Sequence, residues 1–168
     1  HAFREVIQKH LPAGETLPDV PELNPITTFA TVTLNEHAPL SAAFGRRIQS
    51  EMPMTMEAVG MDFGYIHYET VVQKDMKGMM RLKDVRDYAV VIVDGKTLQS
   101  LDRRHRQDRL EVDLKKGQRL EILVENVGRV NYGPDLLFNL KGITESVTVN
   151  GEMLTGWTVT PLPLYRSI

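Results

Sequence analysis

The spacing of apolar positions changes once along this chain, from helical near the front to two-residue alternation over most of the rest. In residues 1–10, HAFREVIQKH, Phe3, Val6, Ile7 and His10 gather on one face of a helix. Leu11-Pro12 and Ala13-Gly14 then end it, because proline cannot continue the ladder and glycine suits a C-terminal cap. A helix this short is marginal in water, so its apolar face needs something to pack on. Residues 11–26 carry Pro12, Pro18, Pro21 and Pro25, and predict a stiff extended linker and a domain boundary.

From residue 27 onward the pattern is that of strands. Residues 27–34, TTFATVTL, are rich in β-branched types and put Ala30, Val32 and Leu34 on one face. Residues 65–73 are aromatic and β-branched, and residues 88–94 form an apolar run closed by Asp94-Gly95. A short strand at 97–101 follows at hairpin distance. Residues 110–114 and 120–124 alternate apolar with charged positions on either side of a turn at 115–118. Residues 143–150 end in Asn150-Gly151, a type I′ hairpin signal, and 157–160 give the last strand before Pro161. About eight strands with close turns predict an all-β, antiparallel jelly-roll or β-sandwich over 27–168. Residues 41–62 are less regular and hold Met52, Met54, Met56 and Met61, which read as adaptable core filler, with a Met-lined partner groove as the alternative.

Composition narrows the classes of function. The 168 residues, the length of one domain, carry 20 Lys plus Arg against 22 Asp plus Glu, for a formal charge of −2. Neither a nucleic-acid backbone nor an anionic membrane surface is called for by that balance. No apolar run is long enough to span a bilayer. The first residue is not Met and no signal-peptide pattern stands at the front, so a processed or excised piece is expected. Cysteine is absent, which removes disulfides, thiolate metal sites and a cysteine nucleophile. The five His residues lie far apart without HxH or HExxH spacing, so neither a metal site nor a cofactor is expected. Neither GxxxxGK[ST], GxGxxG nor GxSxG occurs.

Several acids, among them Glu57, Glu69, Asp84, Asp87, Glu125 and Asp135, could be nominated for two-carboxylate glycosidase chemistry, but none falls in a spacing that demands it. Asp84 and Asp87 sit among Arg81, Lys83 and Arg86 and read as a solvated face with local ion pairs. The run LDRRHRQDRLE reads as a charged hairpin loop or sheet edge, with an acidic-saccharide or phosphate contact as the alternative. The most informative cluster is VENVGRVNYGP, which places Arg129, Asn131 and Tyr132 beside Gly128 and Gly133 just after a buried strand. A guanidinium fork, an amide and an aromatic face suit sugar hydroxyls, and equally suit a polar network under a loop. Trp157, the only Trp, is either core packing or a sugar-stacking platform.

These same residues carry a family resemblance. ILVENVGRVNYGP, followed by KGITESVTVNGEMLTGWTVTPLPL, resembles the β-rich region after the catalytic barrel of glycoside hydrolase family 35 β-galactosidases. MDFGYIHYET resembles the segment that opens that region, and RDYAVVIVDGKTLQSLDR resembles its hairpin, with Ser100 where glycine is common. The resemblance extends through residues 11–26 as the linker and 1–10 as the last barrel helix. It implies a galactose-binding-domain-like sandwich that is not catalytic by itself. The family's two catalytic glutamates lie on a (β/α)8 barrel that needs about 250 residues, so no catalytic residue is carried onto this sequence. The implied role is an accessory domain that packs on the barrel of the same parent chain and borders its galactoside cleft. The alternative is an autonomous carbohydrate-binding module using Trp157 or the Arg129–Tyr132 loop. An exported parent is also implied.

Overall fold

A computed structural model describes residues 2–164 of the chain. His1, the first residue of the expected helix, and residues 165–168, the end of the expected sandwich, lie outside the described residues. The chain divides into two compact units between His37 and Ala38.

In the first unit, α1 (Ala2–Gln8) forms as the periodicity predicts, and Phe3, Val6 and Ile7 are all exposed along it. The Arg4 guanidinium donates to the carbonyls of Pro18 at 2.5 Å and Leu17 at 3.2 Å, which ties the proline-rich segment back to the helix. The expected strand at 27–34 does not form. These residues have no regular secondary structure, and Phe29, Val32 and Leu34 are exposed. A strand has no hydrogen-bond ladder of its own, and among the described residues no segment pairs with this one.

The second unit is an antiparallel β-sandwich. Its strands are β1 (Ile48–Ser50), β2 (Tyr65–Val71), β3 (Met76–Arg86), β4 (Tyr88–Val93), β5 (Lys96–Asp102), β6 (Arg109–Leu114), β7 (Arg119–Glu125), β8 (Gly142–Val149), β9 (Glu152–Met153) and β10 (Trp157–Leu162). One sheet runs β1-β10-β2-β7-β4-β5 and the other β6-β3-β8-β9. The core lies between them. Ile66 and Tyr68 of β2, Ala89 and Val91 of β4, and Leu120, Ile122 and Val124 of β7 face Met80 and Leu82 of β3 and Val147 of β8 in one buried cluster. Met56 and Met61 belong to it and Met54 packs against it, so the methionine-rich segment is core filler rather than a groove.

Strand β3 corrects the sequence reading most. The stretch taken for a solvated charged face is the strand between β6 and β8, with Met80 and Leu82 fully buried. Its register slips between Lys83 and Val85, where Asp84 takes a left-handed φ of 53°. Thr144 Oγ1 holds that bulge by donating to the Asp84 carbonyl at 3.0 Å. The extra residue flips the alternation, so Val85 and then Asp87 come to the buried side.

Pro161 sits inside β10 rather than after it. Strand β1 pairs only with Trp157, Thr158 and Val159, so at Pro161 the strand is flanked on one side and a missing N–H costs no ladder bond. The two predicted hairpin turns are present, with positive φ at Asp94 and Gly95 and at Asn150 and Gly151, the type I′ geometry. The charged run after β5 is a short 3-10 turn, Arg103–His105, linking the edge strand of one sheet to the edge strand of the other.

Candidate functional site

Strand β7 ends at Glu125 and β8 begins at Gly142, and the loop between them carries three of the four residues singled out in the sequence. Its base is polar and tied down. Asp87 Oδ2 accepts from the Lys141 ammonium at 2.5 Å and from the Val127 backbone N–H at 3.2 Å. The Lys141 backbone N–H donates to the Glu57 carboxylate, and the Lys141 carbonyl accepts from the Met56 N–H at 2.9 Å. Arg129 spans the loop, donating to the carbonyls of Asp62 and Asn139, both at 2.9 Å, and pairing with Glu57 at 2.6 Å. Asn139 Oδ1 accepts from the Val130 N–H, and Asn126 bonds both the Asp62 carbonyl and the Gly128 N–H.

The tip is the opposite. Tyr132 is 91% exposed, Leu137 84% and Phe138 72%, and Asn131 is exposed beside them. A 3-10 turn, Pro134–Phe138, displays Leu136, Leu137 and Phe138 in succession. Proline at its first position supplies a preset φ and needs no donor there. A loop with a hydrogen-bonded base and an apolar tip is organised before it meets anything.

Electrostatics follow from these contacts. Burial pushes the Glu57 carboxyl up, but backbone N–H groups and the Arg129 guanidinium outweigh it and hold the carboxyl below its ordinary value. Asp84 is likewise pushed up by burial and held down by Arg86 and Thr144. Asp102 is lowered to about 2 by its hydrogen bonds from Arg104, which also cap the turn that follows. A cleft of about 470 Å³ opens between the base of the loop and the Arg103–Arg104 turn, with Asp87 and Lys141 among its lining residues.

The four sequence candidates therefore separate. Asn131 and Tyr132 share the exposed tip. Arg129 is committed to Glu57, Asp62 and Asn139 at the base. Trp157 has no exposed surface: its indole N–H donates to the Leu154 carbonyl at 2.9 Å and its ring stands edge-on to Tyr68. Of the two readings of Trp157, the structure selects core packing, because residue 157 falls with Val159 on the face of β10 that joins the core cluster. Asp87, read as solvated, is buried, for the phase reason given above. Lys141 and Asn139 escaped notice. The usable signal for Lys141 is its place directly before Gly142-Ile143, where a strand enters the core. Among the described residues, no group of three His, Asp or Glu converges as a metal site.

Known proteins match this chain over the same sandwich. The family model described as the β-galactosidase first all-beta domain matches residues 53–163. The chain is 39% identical to a β-galactosidase of Xanthomonas manihotis over 152 residues, covering 90% of this chain and 25% of that protein. It is 36% identical to a mouse β-galactosidase over 173 residues, covering 96% of this chain and 26% of that protein. Against a human β-galactosidase it is 33% identical over 172 residues, covering 96% and 24%. The chain thus spans about a quarter of the length of these curated relatives. With two antiparallel sheets in place and the matched residues running from Pro53 through β10, this chain belongs to the β-galactosidase first all-beta domain family.

Proposed function

We propose that the chain is a non-catalytic accessory sandwich of a β-galactosidase and packs on the catalytic barrel of the same parent through the tip of the 126–141 loop. One observation carries the reading: Tyr132, Leu137 and Phe138 are displayed on a loop whose base is locked by Asp87, Glu57 and Asn139. Exposed aromatic and aliphatic side chains on a preorganised loop favour a partner surface. About three quarters of the relatives' length lies outside the match, which is consistent with a partner surface within a longer parent. Residues 1–10 serve as the last barrel helix, with Phe3, Val6 and Ile7 facing the barrel, and residues 11–26 as the linker.

In the parent the reaction is hydrolysis of terminal β-galactosides with retention, one barrel glutamate acting as acid and base and the other as nucleophile. This chain contributes neither. Tyr132 borders the cleft and limits its shape. The autonomous carbohydrate-binding reading is less well supported, because Trp157 is in the core and the Arg129 donors are spent within the domain.

The test is made in the full-length parent. Tyr132→Ala is expected to lower kcat/KM for a chromogenic β-galactoside, and Leu137→Asp with Phe138→Asp to lower thermal stability. The same substitutions in the 168-residue chain are expected to leave its own unfolding unchanged, since these side chains are exposed there. A parent indifferent to all three substitutions overturns the reading. Saturable heat from the isolated chain with millimolar galactose would favour the carbohydrate-binding alternative.

A further inference from the structure

The geometry points to an oxyanion site in the cleft beside the Asp87–Lys141 pair, which takes one sulfate, phosphate or carboxylate group. This goes beyond the accessory role and does not depend on it. Five charged side chains line the cleft: Asp87, Arg103, Arg104, Arg129 and Lys141. Arg129 is neutralised by Glu57 at 2.6 Å, and Arg104 by Asp102 at 2.7 Å. Arg103 and Lys141 are left to share the single carboxylate of Asp87. Two cations on one carboxylate leave one positive charge without a counter-charge.

The donors are unspent as well. The Lys141 side chain is only 3% exposed, and one of its three ammonium hydrogens is used, on Asp87. The Arg103 guanidinium approaches Asp87 Oδ1 only to 3.5 Å, too far for a good hydrogen bond, so its fork remains open. A buried ammonium and an open guanidinium around one cleft match the geometry of an oxyanion. The neighbouring cleft, of about 500 Å³, shares Arg103 with the first and adds Arg106, but none of its cations is buried. There Arg81 pairs with Asp108, Lys83 with Glu145 and Arg86 with Asp84. Of the two clefts, only the first therefore offers a buried ammonium with unspent donors.

The oxyanion arrives either as a free ion or as a substituent on a sugar, and titration separates the two. The 168-residue chain, labelled with ¹⁵N, is titrated at low ionic strength with sodium sulfate, galactose 6-sulfate and galactose. Saturable shifts are expected at the amides of Arg104, Val127 and Gly128 with both sulfates. Arg103→Gln, at a half-exposed position that does not threaten the fold, should weaken sulfate binding about tenfold. Lys77→Gln, at an exposed lysine paired with Asp113, should leave it unchanged. Equal affinity for the two sulfates upholds the site as one for the ion itself. Tighter binding of galactose 6-sulfate upholds it as one for a sugar-borne oxyanion. The proposal is overturned by the absence of saturable shifts, by equal weakening in Lys77→Gln, or by unsulfated galactose binding as well as the sulfates. None of these outcomes bears on docking to the barrel, which the Tyr132, Leu137 and Phe138 variants of the parent test separately.

Discussion

Lys141 Nζ lies 2.5 Å from Asp87 Oδ2, and both residues are withdrawn from solvent. Neither belongs to a strand. Asp87 is the single residue between β3 and β4, and Lys141 directly precedes β8. Their contact closes the base of the 126–141 loop across two strand ends that are 54 residues apart in the chain.

Replacing Lys141 by Met should therefore cost about 3 kcal/mol, because a buried carboxylate would be left with Arg103 at 3.5 Å as its only cation. Urea unfolding of the 168-residue chain measures it. Adding Asp87→Asn should recover part of the loss, since the double variant leaves no buried charge unpaired. A single variant as stable as the parent sequence would show that the pair does not hold the loop.

Tyr68 joins the sheets by a different route. Its hydroxyl donates to the Met54 carbonyl at 2.7 Å and accepts from the Ile143 N–H at 3.0 Å, inside the core. Tyr68→Phe keeps the ring and orphans both backbone groups. A loss of about 2 kcal/mol is expected, with faster hydrogen exchange at the Ile143 amide as its local signature. Unchanged exchange there would refute the role given to the hydroxyl.

Gly142 shows where a single methyl group should be intolerable. It holds a φ of 91°, and a Cβ there would run into the Tyr68 hydroxyl. Gly142→Ala should lose at least about 2 kcal/mol through strain and collision together. Gly117 has a similar φ of 88° but open space around it, so Gly117→Ala should cost about 1 kcal/mol. Thermal melts of the two variants make the comparison, and equal losses would mean that the collision at Gly142 is relieved.

His67 supplies a pH dependence. Its ring faces away from the core yet is buried beneath Phe44, with centroids 4.7 Å apart, and bonds to Glu121 at 3.2 Å. Burial lowers its pKa below the ordinary 6.5, and this outweighs the raising effect of Glu121 and Glu69, while Arg47 lowers it further. A depressed pKa in the folded state means that the unfolded chain binds the proton more readily. Stability from this group is therefore full above about pH 6.5 and declines as the pH falls through the lowered value. Urea midpoints between pH 7.5 and 5 should fall more steeply in the native sequence than in His67→Gln. Parallel profiles would sink the assignment.

Legibility in the sequence followed how local the determining contact was. The alternation in β6 and β7 could be read because each repeats its phase without interruption. Strands β2, β4 and β8 could be read from their β-branched, aromatic or continuous apolar content and the turns that bound them. β3 could not be read as a strand, because Gly78 falls at an inner position, Met79 at an outer one, and the bulge at Asp84 breaks the period midway. The opposite error occurred at residues 27–34, where the period-two pattern is present and, among the described residues, no partner strand is. At the candidate site, Tyr132 stood out by chemistry and neighbouring glycines, but the roles of Arg129 and Trp157 depended on distant partners, Glu57 and Asp62 for one and Tyr68 for the other.

The chain's own order of residues determines an antiparallel all-β sandwich, its type I′ hairpins, a short amphipathic helix and the family resemblance, because these rest on period, turn chemistry and motif. Tertiary structure alone decided which carboxylates are buried, which arginines are spent and which side chains of the 126–141 loop are left exposed. Burial and pairing are set by residues far apart in the chain, and their energies depend on a dielectric and a geometry that exist only after the two sheets have closed on each other.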